Sequence, residues 1–117
     1  MFNLSASNTF LLYRHPTDMR KGFDGLSGLV RNELGRNPLS GEVFIFINKT
    51  RNRIKLFHWE YGGFTLYYKR LEKGRLELPS QGEKSLQISW TDLLLMIEGI
   101  ELKSVKKRSR FSLKNSA

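Results

Sequence analysis

Cysteine is absent from the 117 residues. That excludes disulfides and thiolate metal sites, and it permits a reducing compartment. No apolar run approaches the roughly 20 residues a membrane helix needs. The opening MFNLSASNTFLLYRHP has no basic segment ahead of its apolar stretch, so no signal peptide is read and the cytoplasm is the expected location. Histidine is scarce too. His15 and His58 stand among scattered carboxylates, which is not a metal-ligand pattern. Asp18 and Asp24 lie six apart, on different faces of a helix, and Asp92 is remote, so converging carboxylates for two-metal polynucleotidyl transfer are missing. There is no glycine-rich phosphate loop and no nucleophile elbow. These gaps point to a chain that is not an enzyme and carries neither cofactor nor metal.

Acid is the other shortage. Twenty Lys and Arg face eleven Asp and Glu, a net charge of +9. Such a balance favours an acidic partner, most often nucleic acid, with an anionic membrane second. From Lys103 onward there are six basic residues and no acid, which leaves residues 1–102 at only +3. The expected organisation is therefore one α+β domain over 1–102 and a basic, disordered tail over 103–117.

What is present is hydrophobic patterning. Eight Phe, four Tyr and two Trp supply much of one core. Thr9–Tyr13 reads as a first strand, broken by His15-Pro16. Met19, Phe23, Leu26, Val30 and Leu34 recur at helical spacing, capped by Thr17 or Asp18 and closed at Gly35. GEVFIFIN suits a buried strand. Residues 53–61 and 64–71 read as strands joined by a Gly62-Gly63 hairpin turn, with Tyr61 opposite Phe64 and Lys55 opposite Arg70. A short strand through Leu76 and Leu78 and an edge strand at Leu86–Ile88 follow. Ser89-Trp90-Thr91-Asp92 is a capping box for a second helix, in which Leu94 and Ile97 join the core. The fold class expected is α+β: an antiparallel sheet built on a three-stranded meander, with two helices packed on it.

Three segments, read together, resemble a known family. They are Pro16-Thr17-Asp18-Met19-Arg20-Lys21-Gly22-Phe23-Asp24-Gly25-Leu26, then Trp59 with Gly63-Phe64, and Tyr68-Lys69-Arg70-Leu71-Glu72 with Gly74-Arg75; LLMIEGI at 94–100 agrees. The chain looks like the accessory protein TnpB, encoded by the second open reading frame of insertion sequences of the sixty-six type. A much larger RNA-guided nuclease of other elements shares that name, and the resemblance is not to it. The family resemblance implies a protein that works beside the transposase of the same element and has no assigned reaction.

Segment 49–75 holds eight basic residues interleaved with His58, Trp59, Tyr61, Phe64, Tyr67 and Tyr68. Cations track phosphates and aromatics stack on unpaired bases, and nucleic-acid-binding sheets combine the two. The plainer reading places one aromatic face under helices and the cations in solvent. The pleat assigns Trp59 and Tyr68 to the more apolar face, as core, and leaves Tyr67 and Lys69 as contact candidates. In the first helix, Arg20 and Lys21 could hold a phosphate at the N-terminus; Asp18 as a cap is the commoner arrangement. The phosphate-contact candidates are Arg20, Lys21, Lys55, Lys69, Arg70 and Arg75. The expected partners are the transposase and the element's DNA, with no membrane. A protein–protein adaptor that binds the transposase and touches no nucleic acid is the alternative. Oligomeric state stays open.

Overall fold

The computed structural model describes residues 4–78 and 85–97. The elements run β1 (Phe10–Tyr13), α1 (Phe23–Asn32), β2 (Val43–Ile47), β3 (Arg53–Glu60), β4 (Gly63–Arg70), β5 (Ser85–Ile88) and α2 (Trp90–Ile97). They build one five-stranded sheet in the order β4-β3-β2-β1-β5. The class is α+β. The sheet is mixed, and the expectation of an antiparallel sheet is corrected. β1 lies parallel to β2, with Phe10 opposite Val43 and Leu12 opposite Ile45. The other three pairs, β1–β5, β2–β3 and β3–β4, are antiparallel. The reason is the connection: a helix between two adjacent strands returns the chain to the starting edge, so the second strand runs the same way as the first.

Helices cover both faces. α1 buries Leu26 and Val30 against Leu11, Tyr13, Phe44, Phe46 and Phe57. α2 buries Leu93 and Met96 against Phe10, Leu12, Val43, Ile45, Ile54, Leu56 and Ile88 on the opposite face. All five residues of β2 are buried, which explains why VFIFI shows no polar alternation. Leu71 and Leu76 join the α2 side. Leu76 was expected in a strand; it lies outside any strand, and its N–H donates to Arg51 O at 2.7 Å.

The helix ends differ in how well they match the pattern. Ser89 Oγ accepts the Asp92 N–H at 3.0 Å, so the capping box starts α2 as read. α1 begins four residues later than its apolar stripe. Its N-cap is Gly22, without a side-chain bond. Asp18 instead closes a local turn, accepting from the Arg20 N–H at 2.9 Å and from its guanidinium. With residues 19–22 outside the helix, Met19 is only partly buried, and Phe23 sits at the helix margin with 48% of its surface open. Leu94 is exposed as well, because α2 turns Leu93 and Met96 to the sheet.

The hairpin register is corrected by two residues. Glu60 faces Gly63, Trp59 faces Phe64 and Lys55 faces Tyr68. The turn is Tyr61-Gly62, both at positive φ (50° and 78°), as a two-residue primed turn requires. A shift of two keeps every side chain on its expected face. The segment expected as a tail, 103–117, and the loop 80–84 lie outside the described residues.

Candidate nucleic-acid interface

The parallel β1–β2 pair fixes the polarity of the molecule. Both strands end on the same side, where Thr17 N–H donates to Ile47 O at 2.9 Å. The loop into α1 starts there, the β2–β3 turn closes there, and β4 ends there. Leu71 and Leu76 bond the Asn52 and Arg51 carbonyls, folding residues 72–75 against that turn. This end therefore gathers Arg20 and Lys21, then Lys49, Arg51 and Arg53, then Arg70, Lys73 and Arg75. Asp18, Asp24 and Glu72 are the acids beside them. All eight cations are exposed except Arg53, which is half-buried.

Asn48 builds the β2–β3 turn. Its Oδ1 accepts the N–H groups of Asn52 and Arg53, both at 3.0 Å, and its Nδ2 donates to Asn52 Oδ1 at 2.7 Å. Arg51 takes a positive φ of 57° to close the loop. The result is a hydrogen-bonded polar rim facing the Asp18–Arg20 turn across a cleft of about 500 Å³. A second cleft of about 400 Å³ is lined by Arg53, Tyr68, Arg70 and Glu72. Arg53 belongs to both, and its Nη1 donates to Tyr68 Oη at 3.1 Å.

Two of the cations are partnered by neighbours in sequence. Arg20 pairs with Asp18 at 2.6 Å, and Arg70 pairs with Glu72 at 2.8 Å. Hydrogen bonds from the Arg20 side chain and backbone hold the Asp18 carboxyl down at about 2. Exposed pairs of this kind contribute little and are readily exchanged for another anion.

The six sequence-derived candidates fall into three groups. Arg20, Lys21, Arg70 and Arg75 are exposed at the basic end. The Lys21 stem lies along Gly25, where an added Cβ would come within 3.0 Å of Lys21 Cβ. Lys69 is half-buried, next to Ile54 on the α2 face. Lys55 is 5% exposed, and its Nζ donates to Met19 O at 2.7 Å and Lys21 O at 2.8 Å. It ties the 18–22 turn to the sheet. Lys49 and Arg53, which line the clefts, were not among the six; their place in a basic run was visible, their convergence was not. Tyr68, expected in the core, is 47% exposed, while Tyr67 packs partly against the α2-side core.

His58 lies at the far end of the sheet, 3.3 Å from Glu60 and near the Glu42 carbonyl. Among the described residues no cluster of three or more His, Asp or Glu side chains could hold a metal. Nor is any described helix long and apolar enough to cross a membrane.

The family described as IS66 Orf2 like protein matches residues 8–107. The chain belongs to this family. It is thus a transposon-associated accessory protein, and residues 8–78 of the match carry the whole basic end. Two proteins of Sinorhizobium fredii (strain NBRC 101917 / NGR234) are similar over most of their length. One, the uncharacterized protein y4jC, is 29% identical over 108 residues, 92% of each chain. The other, the uncharacterized protein y4hO, is 35% identical over 85 residues, 73% of this chain and 74% of its own. No solved structure matches.

Proposed function

We propose that the protein is a non-catalytic partner of its element's transposase that binds the element's nucleic acid through the basic end of the sheet. The observation that carries this reading is the gathering of eight Arg and Lys from three chain segments at one end of the sheet, four of which (Arg20, Lys49, Arg53 and Arg70) line two clefts that share Arg53. Chain segments around residues 20–21, 49–53 and 70–75 supply them, so the clustering is a product of the fold. Phosphates are the ligands such a surface suits: arginines give bidentate donors, and the Asn48 turn holds the backbone of Arg51 and Arg53 in place. The six cations after residue 102 add sequence-independent attraction.

The test is a salt titration of purified protein against labelled DNA from the element's ends. Four to six phosphate contacts on duplex give a log–log slope of about −3.5 to −5.5. Absence of binding at physiological salt overturns the reading.

One feature favours the adaptor alternative. β4 is an eight-residue edge strand with no strand paired to its outer side among the described residues, the kind of edge a partner strand can extend. A pull-down of transposase with and without DNA separates the two: an adaptor retains the transposase when no DNA is present.

A further inference from the structure

We propose that the basic end takes single-stranded DNA, with one unpaired base stacked on Tyr68 and the flanking phosphates held by Arg53 and Arg70. This deepens the reading above and rests on it. On the α1 side of β4, Phe64 and Leu66 pack only partly against the core under α1, and Tyr68 and Arg70 beyond them are exposed. Among them Tyr68 has an unusual setting. One side of its ring covers the Lys55 ammonium, 4.6 Å from the ring centre, and its hydroxyl accepts from Arg53. The ring is therefore fixed, yet 47% of the residue remains open. An aromatic held this way loses little side-chain entropy when a base lands on it.

The geometry beside the ring suits a nucleotide. The cleft of about 400 Å³ bordered by Arg53, Tyr68, Arg70 and Glu72 lies within the range of small-ligand sites, ~300–1,000 Å³. Arg53 is the wall it shares with the larger cleft, so a backbone leaving the first enters the second past Arg20 and Lys49. Glu72 opposes an anion there, but it is exposed and pairs with Arg70, an arrangement a phosphate displaces at small cost. A duplex keeps its bases stacked on each other and offers this surface only phosphates. A single strand can splay a base into the cleft, where every base has a face to stack.

The experiment measures affinity of the full chain for a 12-nucleotide single strand and its duplex, in wild type and in Tyr68→Phe, Tyr68→Leu and Arg53→Gln/Arg70→Gln. A thermal melt of each variant checks folding; Leu keeps an apolar cover over Lys55, and Phe keeps the ring. The expected result is tighter binding of the single strand and near wild-type affinity for Tyr68→Phe. Tyr68→Leu should lose about 5- to 150-fold on the single strand with the duplex unchanged. Equal losses on both substrates, or none, overturn the stacking role. If Arg53→Gln/Arg70→Gln still weakens binding in that case, the basic-end reading survives alone. If no variant changes binding, both fall.

Discussion

The Lys55 ammonium sits 4.6 Å from the centre of the Tyr68 ring, the residue directly opposite it on β4. On its other side it donates to the carbonyls of Met19 and Lys21. A buried ammonium must be satisfied, and here two backbone oxygens and a ring face do it. The consequence is mechanical: the 18–22 turn, which carries Arg20 and Lys21, is anchored to the sheet. Lys55→Met keeps the stem and removes the donors. It should lower stability by about 1.5–3 kcal/mol, the usual worth of hydrogen bonds to a charged group. Urea denaturation checks this, and an unchanged midpoint means the ammonium anchors nothing.

Core substitutions should rank by burial. Leu26 and Ile45 are fully buried on opposite faces of the sheet. Each changed to Ala should cost about 2–5 kcal/mol, from lost transfer energy plus a residual cavity. Phe23→Ala should cost about 1 kcal/mol or less, since the ring is half open and meets Phe57 only at 6.5 Å. Equal midpoint shifts for Phe23 and Leu26 would contradict the observed start of α1.

The hairpin turn offers a gain. Tyr61 holds φ at 50° and is 90% exposed, so its ring contributes almost no burial against the cost of a left-handed backbone. Tyr61→Asn creates the Asn-Gly pair this turn prefers. It should raise stability by up to about 1 kcal/mol, read as a higher melting temperature. Gly62→Ala should lower it, because Ala resists the φ of 78°.

Much of this fold is legible in the sequence because it follows from patterns local to one segment. The unbroken apolar run of β2, the Ser89 cap of α2 and the division of Lys55, Phe57, Trp59, Leu66, Tyr68 and Arg70 from Leu56, His58, Tyr67 and Lys69 across the sheet are all visible in the chain. The parallel β1–β2 pair needed the strand–helix–strand connection to be weighed as topology. Helical spacing starts α1 too early because Met19 fits the stripe; Gly22 and the Asp18–Arg20 turn set the start instead. Tyr68 is expected buried and Lys55 exposed; the structure has Tyr68 half open and Lys55 enclosed. Alternation places both on the same face but does not say which of them the 18–22 turn encloses. The clefts were not legible at all, since they join residues from loops far apart in sequence.

Acid should weaken the fold through two carboxylates. Hydrogen bonds from Arg20 hold Asp18 at about 2, and Arg36, with help from Ser40, lowers Glu42 from its ordinary value. A carboxyl depressed in the folded state contributes stability that is complete above its unfolded value and lost as pH falls through the folded one. For Asp18 the window runs from about pH 4 down to about 2. Its exposure keeps that contribution small. Glu42 is the more enclosed of the two, paired with Arg36 at 2.5 Å. Glu42→Gln should therefore flatten the acid limb of a pH–stability curve more than Asp18→Asn does. A greater flattening by Asp18→Asn would reverse that order.

The binding reading makes its sharpest separation among the six cations named from sequence. Arg70 and Arg75 face solvent at the basic end, whereas Lys55 is enclosed and already bonded to protein oxygens. Counterion release depends on cations that meet phosphate, each contributing about 0.7 to the log–log slope on single strands and about 0.9 on duplex. Arg70→Gln/Arg75→Gln should therefore flatten the salt dependence by about 1 to 2 units without loss of folding. Lys55→Met should leave the slope where it was, whatever it does to stability, because a buried ammonium displaces no ion from DNA. The tail after residue 102 is common to all three proteins and cancels. Titrating one labelled DNA against wild type and both variants at several salt concentrations reads the three slopes. Equal slopes for wild type and the double variant would remove the β4 end from phosphate binding and put the adaptor role first. A flattened slope for Lys55→Met would mean that the loop it anchors, with Arg20 and Lys21, shifts away from the DNA, which a matching loss in Arg20→Gln/Lys21→Gln would establish.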